Sequence, residues 1–271
     1  MASVLNFVSW NVRGLSDGVK RVAMFTALKK HAAAVVCLQE THLQPDTLAA
    51  LKRGSYHTQF HSTHSTFSRG VSILIANTTP FELIQSVIDD QGRYVFLLCK
   101  IMGICCIIAN VYIPPPYTPE CLVKLSQFIA LHSNVPIWVL GDYNNVLDRC
   151  LDRFSHRSVR GASTGGMTPF AKLIEELGLR DIWRERNPGV LVYSCYSATY
   201  HCLSRIDLCL GNAGAQDRTV SISYVPRNIS DHSPLILGAR FAQQTQSRMW
   251  KVNPFWYELF PSPDPIFWGD L

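Results

Sequence analysis

Short apolar runs recur along the chain, and each ends in polar or turn-forming residues. They lie at 5–10 (LNFVSW), 33–39 (AAVVCLQ), 70–76 (GVSILIA), 94–100 (YVFLLCK), 104–113 (ICCIIANVYI), 136–143 (PIWVLGDY), 205–211 (RIDLCLG) and 234–241 (PLILGARF). Runs this short, bounded by turn chemistry, predict β-strands. Several show no polar alternation, which predicts strands covered on both faces. Helical spacing falls between them. Residues 20–31 carry Val22, Phe25 and Leu28 with lysines on the other side; 118–131 carry Leu122, Leu125, Phe128 and Ile129. Residues 168–179 carry Phe170, Leu173, Ile174 and Leu177, with Gly178 placed as a C-cap. Helices interleave with the early strands, while the late strands follow one another. That order predicts an α/β protein with two packed mixed β-sheets flanked by helices.

From Tyr94 to Ile113 only Lys100 and Asn110 are strongly polar, and that length could cross a bilayer. Gly103 interrupts it, and β-branched, aromatic and cysteine residues fill it. Two strands joined at Met102-Gly103 are expected, and no membrane association. After Phe241 the chain turns polar (243–247) and then tryptophan- and proline-rich. The expected division is a domain at 1–241 and a linker or tail at 242–271, leading to a further domain or packing on this one.

Hydrophobic residues make up 47% and charged residues 17%, the balance of a folded domain and not of a disordered chain. A net charge of +5 permits a polyanionic partner without requiring one. Nine cysteines with no CxxC pair suit neither a zinc ribbon nor a disulfide scaffold, so free thiols in a reducing compartment are expected. No basic segment opens the chain as a secretory signal would.

The chemistry concentrates where strands end. The first run ends at Trp10-Asn11, the second at Gln39-Glu40, and the sixth at Gly141-Asp142-Tyr143-Asn144-Asn145. Arg205-Ile206-Asp207 opens the seventh, and Ser230-Asp231-His232 precedes the eighth. One Asp or Asn at a strand end is usually a turn or cap residue. Five polar ends on one chain instead describe the rim of a sheet, where ligands bind. Carboxylate and amide oxygens suit a hard divalent cation such as Mg2+. Glu40 is the best direct ligand, supported by Asn11 and Asp231. A histidine beside a carboxylate can polarise a phosphorus centre, and Asp142 with Asn144 can position and activate water. The chemistry this describes is metal-assisted hydrolysis of a phosphate ester.

The ordered motifs WN (10–11), QE (39–40), NVY (110–112), GDYN (141–144), SRID (204–207) and SDH (230–232) resemble the endonuclease/exonuclease/phosphatase superfamily over about residues 1–241. Within it, NVRGL (11–15), CLQETHL (37–43), the GVSILI strand, LDR (151–153) and SRIDLCL (204–210) resemble the apurinic-like endonuclease domain of a LINE-type (non-LTR) retrotransposon. WKVNPFW (250–256) is similar to the linker towards the reverse transcriptase. The resemblance implies a four-layered α/β sandwich. It implies that Glu40 is the main ligand of Mg2+ (or Mn2+), helped by Asn11, with Asp231 supporting the metal. Tyr112 would donate to the scissile phosphate. Asp142 would activate water or protonate the leaving oxygen, with Asn144 orienting it, and His232 would bind phosphate while held by Asp207. Ser194 and Ser204 would stand near the site as DNA contacts. Two positions depart from the pattern. Repair-type relatives carry an acid where Arg13 stands, and Pro115 replaces a polar DNA-contacting residue of some relatives.

The implied function is nicking of one strand of duplex DNA, leaving a 3′-hydroxyl that primes reverse transcription by a downstream domain. The setting would be nuclear and the domain monomeric. A lipid or inositol phosphatase, or a non-catalytic nucleic-acid-binding relative, remains the alternative. DNA selectivity is expected from a hairpin loop at 195–204, through Tyr196, Thr199, Tyr200, His201 and Ser204. Arg149, Arg153, Arg157 and Arg160 recur every three to four residues and read either as a solvated face or as a phosphate-gripping edge. His57, His61 and His64 lack an ordered fourth ligand and read as a polar loop more than as zinc. GASTGG (161–166) lacks the lysine of a phosphate-binding loop.

Overall fold

The computed structural model describes residues 2–52, 55–116, 119–132, 134–155, 168–199 and 201–242. The strands are β1 (Ala2–Asn11), β2 (Ala33–Gln39), β3 (Thr58–Ser62), β4 (Val71–Ile75), β5 (Phe81–Ile88), β6 (Tyr94–Ile101), β7 (Ile104–Tyr112) and β8 (Ile137–Asp142). They continue with β9 (Arg153–Ser155), β10 (Arg180–Asp181), β11 (Cys195–Ser197), β12 (Cys202–Ser204), β13 (Asp207–Gly211), β14 (Thr219–Tyr224) and β15 (Leu235–Ala242). The helices are α1 (Gly18–Lys30), α2 (Glu120–Ala130), α3 (Pro169–Glu176), α4 (Ile182–Arg186) and α5 (Ala213–Arg218).

Two six-stranded sheets form, in the orders β14-β15-β1-β2-β4-β3 and β10-β13-β8-β7-β6-β5. Each has one parallel pair at its centre, β1/β2 and β7/β8, and antiparallel pairs elsewhere. Three apolar layers separate four structural layers. Phe7, Cys37, Ile73, Leu97, Ile108 and Leu140 fill the space between the sheets. Met24 and Leu28 of α1 pack on the outer face of the first sheet. Leu122, Leu125 and Phe128 of α2 and Phe170 of α3 cover the second. The expected four-layered sandwich is the observed one. Central strands read as unbroken apolar runs because both faces are covered: in β7, Cys106 and Ile108 enter the inter-sheet layer, while Ile107 and Ala109 face α2.

The 94–113 stretch is a hairpin turning at Met102-Gly103, both at positive φ (52° and 81°). Two successive left-handed residues match the twist of antiparallel strands. Among the described residues no helix is long and apolar enough to cross a membrane. Asp17 caps α1 by accepting from Val19 N–H, and Gly178, at φ 66°, closes α3 as expected. There Gly178 N–H donates to Glu175 O and Leu179 N–H to Ile174 O, a Schellman motif. On α1 the buried residues are Met24 and Leu28, while Val22 is exposed. The threefold spacing of Val22, Phe25 and Leu28 had suggested a face rotated from the real one.

One buried polar clamp links the sheets. Asn110 Nδ2 donates to the carbonyls of Leu38 and Ser72 at 2.9 Å, and its Oδ1 accepts from Gln39 Nε2 at 2.7 Å. Breaking it would strand buried amides at about 1–3 kcal/mol each, so the clamp opposes sliding of one sheet over the other.

Candidate active site

The two parallel pairs deliver their C-terminal ends to the same edge. β1 ends at Asn11 and β2 leads into Glu40, while β7 ends at Tyr112 beside Asp142, the last residue of β8. Asp207 opens β13 directly opposite Asp142. Gly141 permits the close approach of β7 to β8, because a Cβ there would lie 2.0 Å from the Val111 carbonyl oxygen. The chain then turns sharply: Glu40 and Asn144 take left-handed backbone (φ 49° and 48°), which points both side chains back over the edge.

Asn11 is fully buried and joins the sheets. Its Nδ2 donates to Glu40 Oε1 at 2.8 Å and to Asp142 Oδ2 at 2.9 Å, and its Oδ1 accepts Arg13 N–H. The amide therefore turns hydrogens, not oxygen, to the carboxylates. Asn11, expected to help Glu40 hold the metal, links Glu40 to Asp142 through its amide hydrogens. Burial pushes Glu40 up, but the neighbouring His42 ring and the hydrogen bond from Asn11 outweigh it and hold its pKa at about 2. The His42 ring stands 3.3 Å from Glu40 Oε2. Sequence reasoning gave His42 no role; its only signal was position two after Glu40.

Asp142 Oδ1 accepts Asn144 N–H at 2.9 Å, and Asn144 Nδ2 lies 3.4 Å from Oδ2. Burial, then the charge of Asp207, raise Asp142 to about 7. His232 Nδ1 sits 2.9 and 3.1 Å from the two Asp207 oxygens. Burial works against the imidazolium, but Asp207 overrides it and holds the pKa up at about 12, so His232 is a cation at neutral pH. Burial and the charges of Glu40 and Asp142 raise Tyr112 well above a free phenol, leaving it a neutral O–H donor. The segment carrying His232 is stapled to β1: Ser230 Oγ donates to the Asn11 carbonyl at 2.7 Å, and Trp10 Nε1 to the His232 carbonyl at 3.2 Å.

Asp231 forms an ion pair with Arg13. The residue that sequence reasoning noted as a missing acid thus balances the acid expected beside the metal. Ser194 corrects an expectation. It is fully buried, its hydroxyl accepts the N–H groups of Ile206 and Asp207, and it donates towards the Ser204 carbonyl. It shapes the approach to Asp207 and cannot touch DNA.

The site opens on a cleft of about 660 Å3 whose walls include Arg13, Arg149, Arg153, Tyr196 and Ser204. The segment expected as a loop at 195–204 is largely strand: β11 and β12 pair as a hairpin and β9 adds a third strand. Thr199 and His201 are exposed at its tip, and Tyr196 is 40% exposed on β11. Arg153 lies on β9, not on a helical face. Arg157, Arg160, Tyr200, GASTGG and the 243–271 tail fall outside the described residues. His61 is held by Ser72 Oγ and Gln59 Oε1 at 2.8 and 3.0 Å, a structural role. A network that sequence reasoning missed sits beneath the hairpin. Arg205 is fully buried and forked onto Asp152 (2.7 and 2.9 Å), with Asp181 at 2.6 Å and the Trp183 ring 5.1 Å away.

The chain is similar over 92% of its length to a Xenopus laevis protein named "Transposon TX1 uncharacterized 149 kDa protein", at 23% identity. It spans about a fifth (19%) of that protein. A Bacillus subtilis exodeoxyribonuclease is 24% identical over 80% of this chain and 84% of its own. The crystal structure of AP endonuclease LMAP from Leishmania major shares the fold with a TM-score of 0.69, covering 88% of both chains at 18% identity. An Archaeoglobus fulgidus AP endonuclease gives 0.64 at 21% identity, covering 86% of this chain and 98% of its own. The profile of the Endonuclease/Exonuclease/phosphatase family matches residues 8–232, from within β1 to the histidine held by Asp207, and the chain belongs to that family.

Proposed function

We propose that the chain is a Mg2+-dependent DNA endonuclease that nicks one strand of a duplex. The observation that carries this reading is the cross-sheet cluster itself. Two carboxylates bridged by Asn11 stand beside an Asp207-held imidazolium at the head of a cleft edged with arginines.

The donor set fits the metal. Glu40 is held ionised and accepts from Asn11 Nδ2, which also donates to Asp142, and the Asp142 and Asp207 carboxylates lie within 4.8 Å of each other at the same edge. Hard oxygen donors with room for water suit Mg2+, with Mn2+ as a substitute. Glu40 would be its ligand, with Asp231 supporting its waters. Bound there, the ion would offset charge developing on the phosphoryl oxygens.

The chain's own residues do the rest. His232 donates from Nε2 to a non-bridging phosphate oxygen, and Tyr112 donates its O–H to the same group. Asn144 orients a water, and Asp142, poised near neutrality, takes its proton as the oxygen bonds to phosphorus. The P–O3′ bond breaks, and the proton returns to the 3′ oxygen, giving a 3′-hydroxyl and a 5′-phosphate. Duplex DNA would lie across the arginine-edged cleft, with the β11–β12 hairpin beside it. The likeness to a transposon protein and the motifs at 11–15, 37–43 and 204–210 support a place in a retrotransposon polyprotein. There the new 3′-hydroxyl would prime a reverse transcriptase carried beyond the 242–271 linker, on chromosomal DNA in the nucleus.

A supercoiled-plasmid assay with mapped cut positions tests this. Mg2+ or Mn2+ should give relaxed circles with 3′-hydroxyl ends, and EDTA should abolish them. Uncut plasmid alongside hydrolysis of an inositol polyphosphate would replace this reading with the phosphatase one.

A further inference from the structure

Cys195 opens β11 and is half-buried against the wall of the cleft. Its backbone forms a bridge with that of His232, which sets the thiol beside the imidazole. The sulfur of Cys195, a ring nitrogen of His232 and a carboxylate oxygen of Asp231 all lie within 4.8 Å of one another. Asp207 occupies Nδ1 of His232, so Nε2 is the nitrogen left to coordinate. A histidine held by a carboxylate through one nitrogen and bound to metal through the other is the usual support of a zinc ligand. Thiolate, imidazole and carboxylate are the ligand types zinc takes, and three of them leave one position open.

The spacing suits this. Ligand atoms on tetrahedral zinc stand about 3.3–3.7 Å apart, given bonds of about 2.0–2.3 Å, so shifts of about an ångström close the shell. Asp231 must leave Arg13, whose side chain is 65% exposed. Exposed ion pairs contribute little, so that release is a small loss. Asp231 is shared with the neighbouring Mg2+ shell, whose donors are all oxygen. Sulfur is what separates the two sites, because it selects a softer ion.

We propose that Cys195, His232 and Asp231 form a second metal site, for a thiophilic divalent cation of the Zn2+ class, which blocks the phosphate-binding nitrogen of His232. On binding, the thiol and Nε2 protons pass to solvent, and water or a phosphate oxygen completes the shell. The inhibitory consequence rests on the nuclease reading, whereas the binding does not.

Cd2+ is the probe for binding, since a Cd–thiolate bond absorbs in the ultraviolet. The wild type, Cys195→Ser and Cys150→Ser are titrated, Cys150 being an exposed thiol elsewhere. The wild type and Cys150→Ser should share a saturable band whose affinity is at least about tenfold weaker in Cys195→Ser. Zn2+ is then titrated against nicking at fixed, excess Mg2+. The concentration for half-inhibition should rise at least about tenfold in Cys195→Ser, relative to that variant's own uninhibited rate. Identical Cd2+ titrations for the wild type and Cys195→Ser overturn the site. A lost band with unchanged Zn2+ inhibition overturns the block of His232. If the wild type cuts no DNA at all, the nuclease reading fails and the Cd2+ titration still decides the site.

Discussion

Asp207→Asn keeps the shape of the side chain and removes one buried charge. In the native protein Asp207 overrides the burial of His232 and holds its pKa up at about 12. With asparagine in place burial is opposed only by Cys195 and the charge of Asp142, and the pKa of His232 falls steeply towards its ordinary value of about 6.5. At pH 7.5 the ring is then neutral and donates less strongly to phosphate. A hydrogen bond involving a charged group contributes about 1.5–3 kcal/mol, so the single-turnover nicking rate should fall about 10- to 150-fold. Asp142 moves too, since the charge of Asp207 is the second cause of its elevation; its titration should shift to lower pH. The rate of the variant should therefore recover as pH falls through the lowered pKa of His232, which the wild type has no reason to do. His232→Ala combined with Asp207→Asn should cost little beyond His232→Ala alone, because the pair acts as a unit. Stability gives an independent check. A raised folded-state pKa contributes stability that is fully present below the unfolded value of about 6.5. It is lost as pH rises towards 12, at up to about 1.4 kcal/mol per pH unit. The variant should lack that slope. A cationic His232 in the variant by NMR titration, or a nicking rate within about threefold of wild type at pH 7.5, would refute the reasoning.

Glu40→Gln should raise the Mg2+ concentration for half-maximal nicking at least about tenfold, since it removes the ionised carboxylate proposed as the direct ligand; an unchanged Mg2+ dependence excludes Glu40 as the ligand. Arg205→Leu should destabilise the fold by about 3–5 kcal/mol in chemical denaturation, because it leaves buried Asp152 and Asp181 without their shared partner. A loss under about 1 kcal/mol would show that Arg184 alone neutralises Asp152. Replacing the 198–201 hairpin tip by a Gly/Ser turn should leave plasmid nicking largely intact and flatten the distribution of cut sites. An unchanged pattern moves selectivity to the Arg149 and Arg153 edge.

What the sequence disclosed follows the physics of burial. Residues 7–11 of β1, together with β2, β4, β6, β7 and β8, are covered on both faces, so they appear as apolar runs, and the polar ends of β1, β2, β7 and β8 marked Asn11, Glu40, Tyr112 and Asp142. β3, β5 and β14 were missed because they are outer strands of their sheets. Thr-Gln-Phe-His-Ser has Phe60 as its one apolar residue, Thr-Val-Ser-Ile-Ser-Tyr is polar at every second position, and β5 is exposed along most of its length. The pairing of Asp152 with Arg205 joins residues 53 apart, and no local pattern announces such a partner. The same holds for Arg13 with Asp231 and for Cys195 against His232: each partner was visible, and only the fold makes the pair.

The site spans two sheets, and that has a mechanical consequence. Glu40 arrives from the first sheet and Asp142 from the second, and Asn11 holds both by single hydrogen bonds near 2.9 Å. Their separation is set by the layer between the sheets, where Leu140 stands two residues before Asp142 on the same face of β8. Leu125 is as completely buried, but under α2 on the outer side of the second sheet. Leu140→Ala and Leu125→Ala remove the same atoms and should each cost about 2–5 kcal/mol of stability. Their effects on catalysis should diverge. Collapse of the inter-sheet layer displaces one carboxylate against the other, and misplacement by about an ångström can cost on the order of a hundredfold in rate. Collapse beneath α2 leaves both carboxylates on their bridge. At a temperature where both variants are fully folded and Mg2+ is saturating, Leu140→Ala should nick at least about tenfold more slowly than Leu125→Ala. Equal rates would mean that the Asn11 bridge and the Asn110 clamp hold the two sheets in register without help from the core between them.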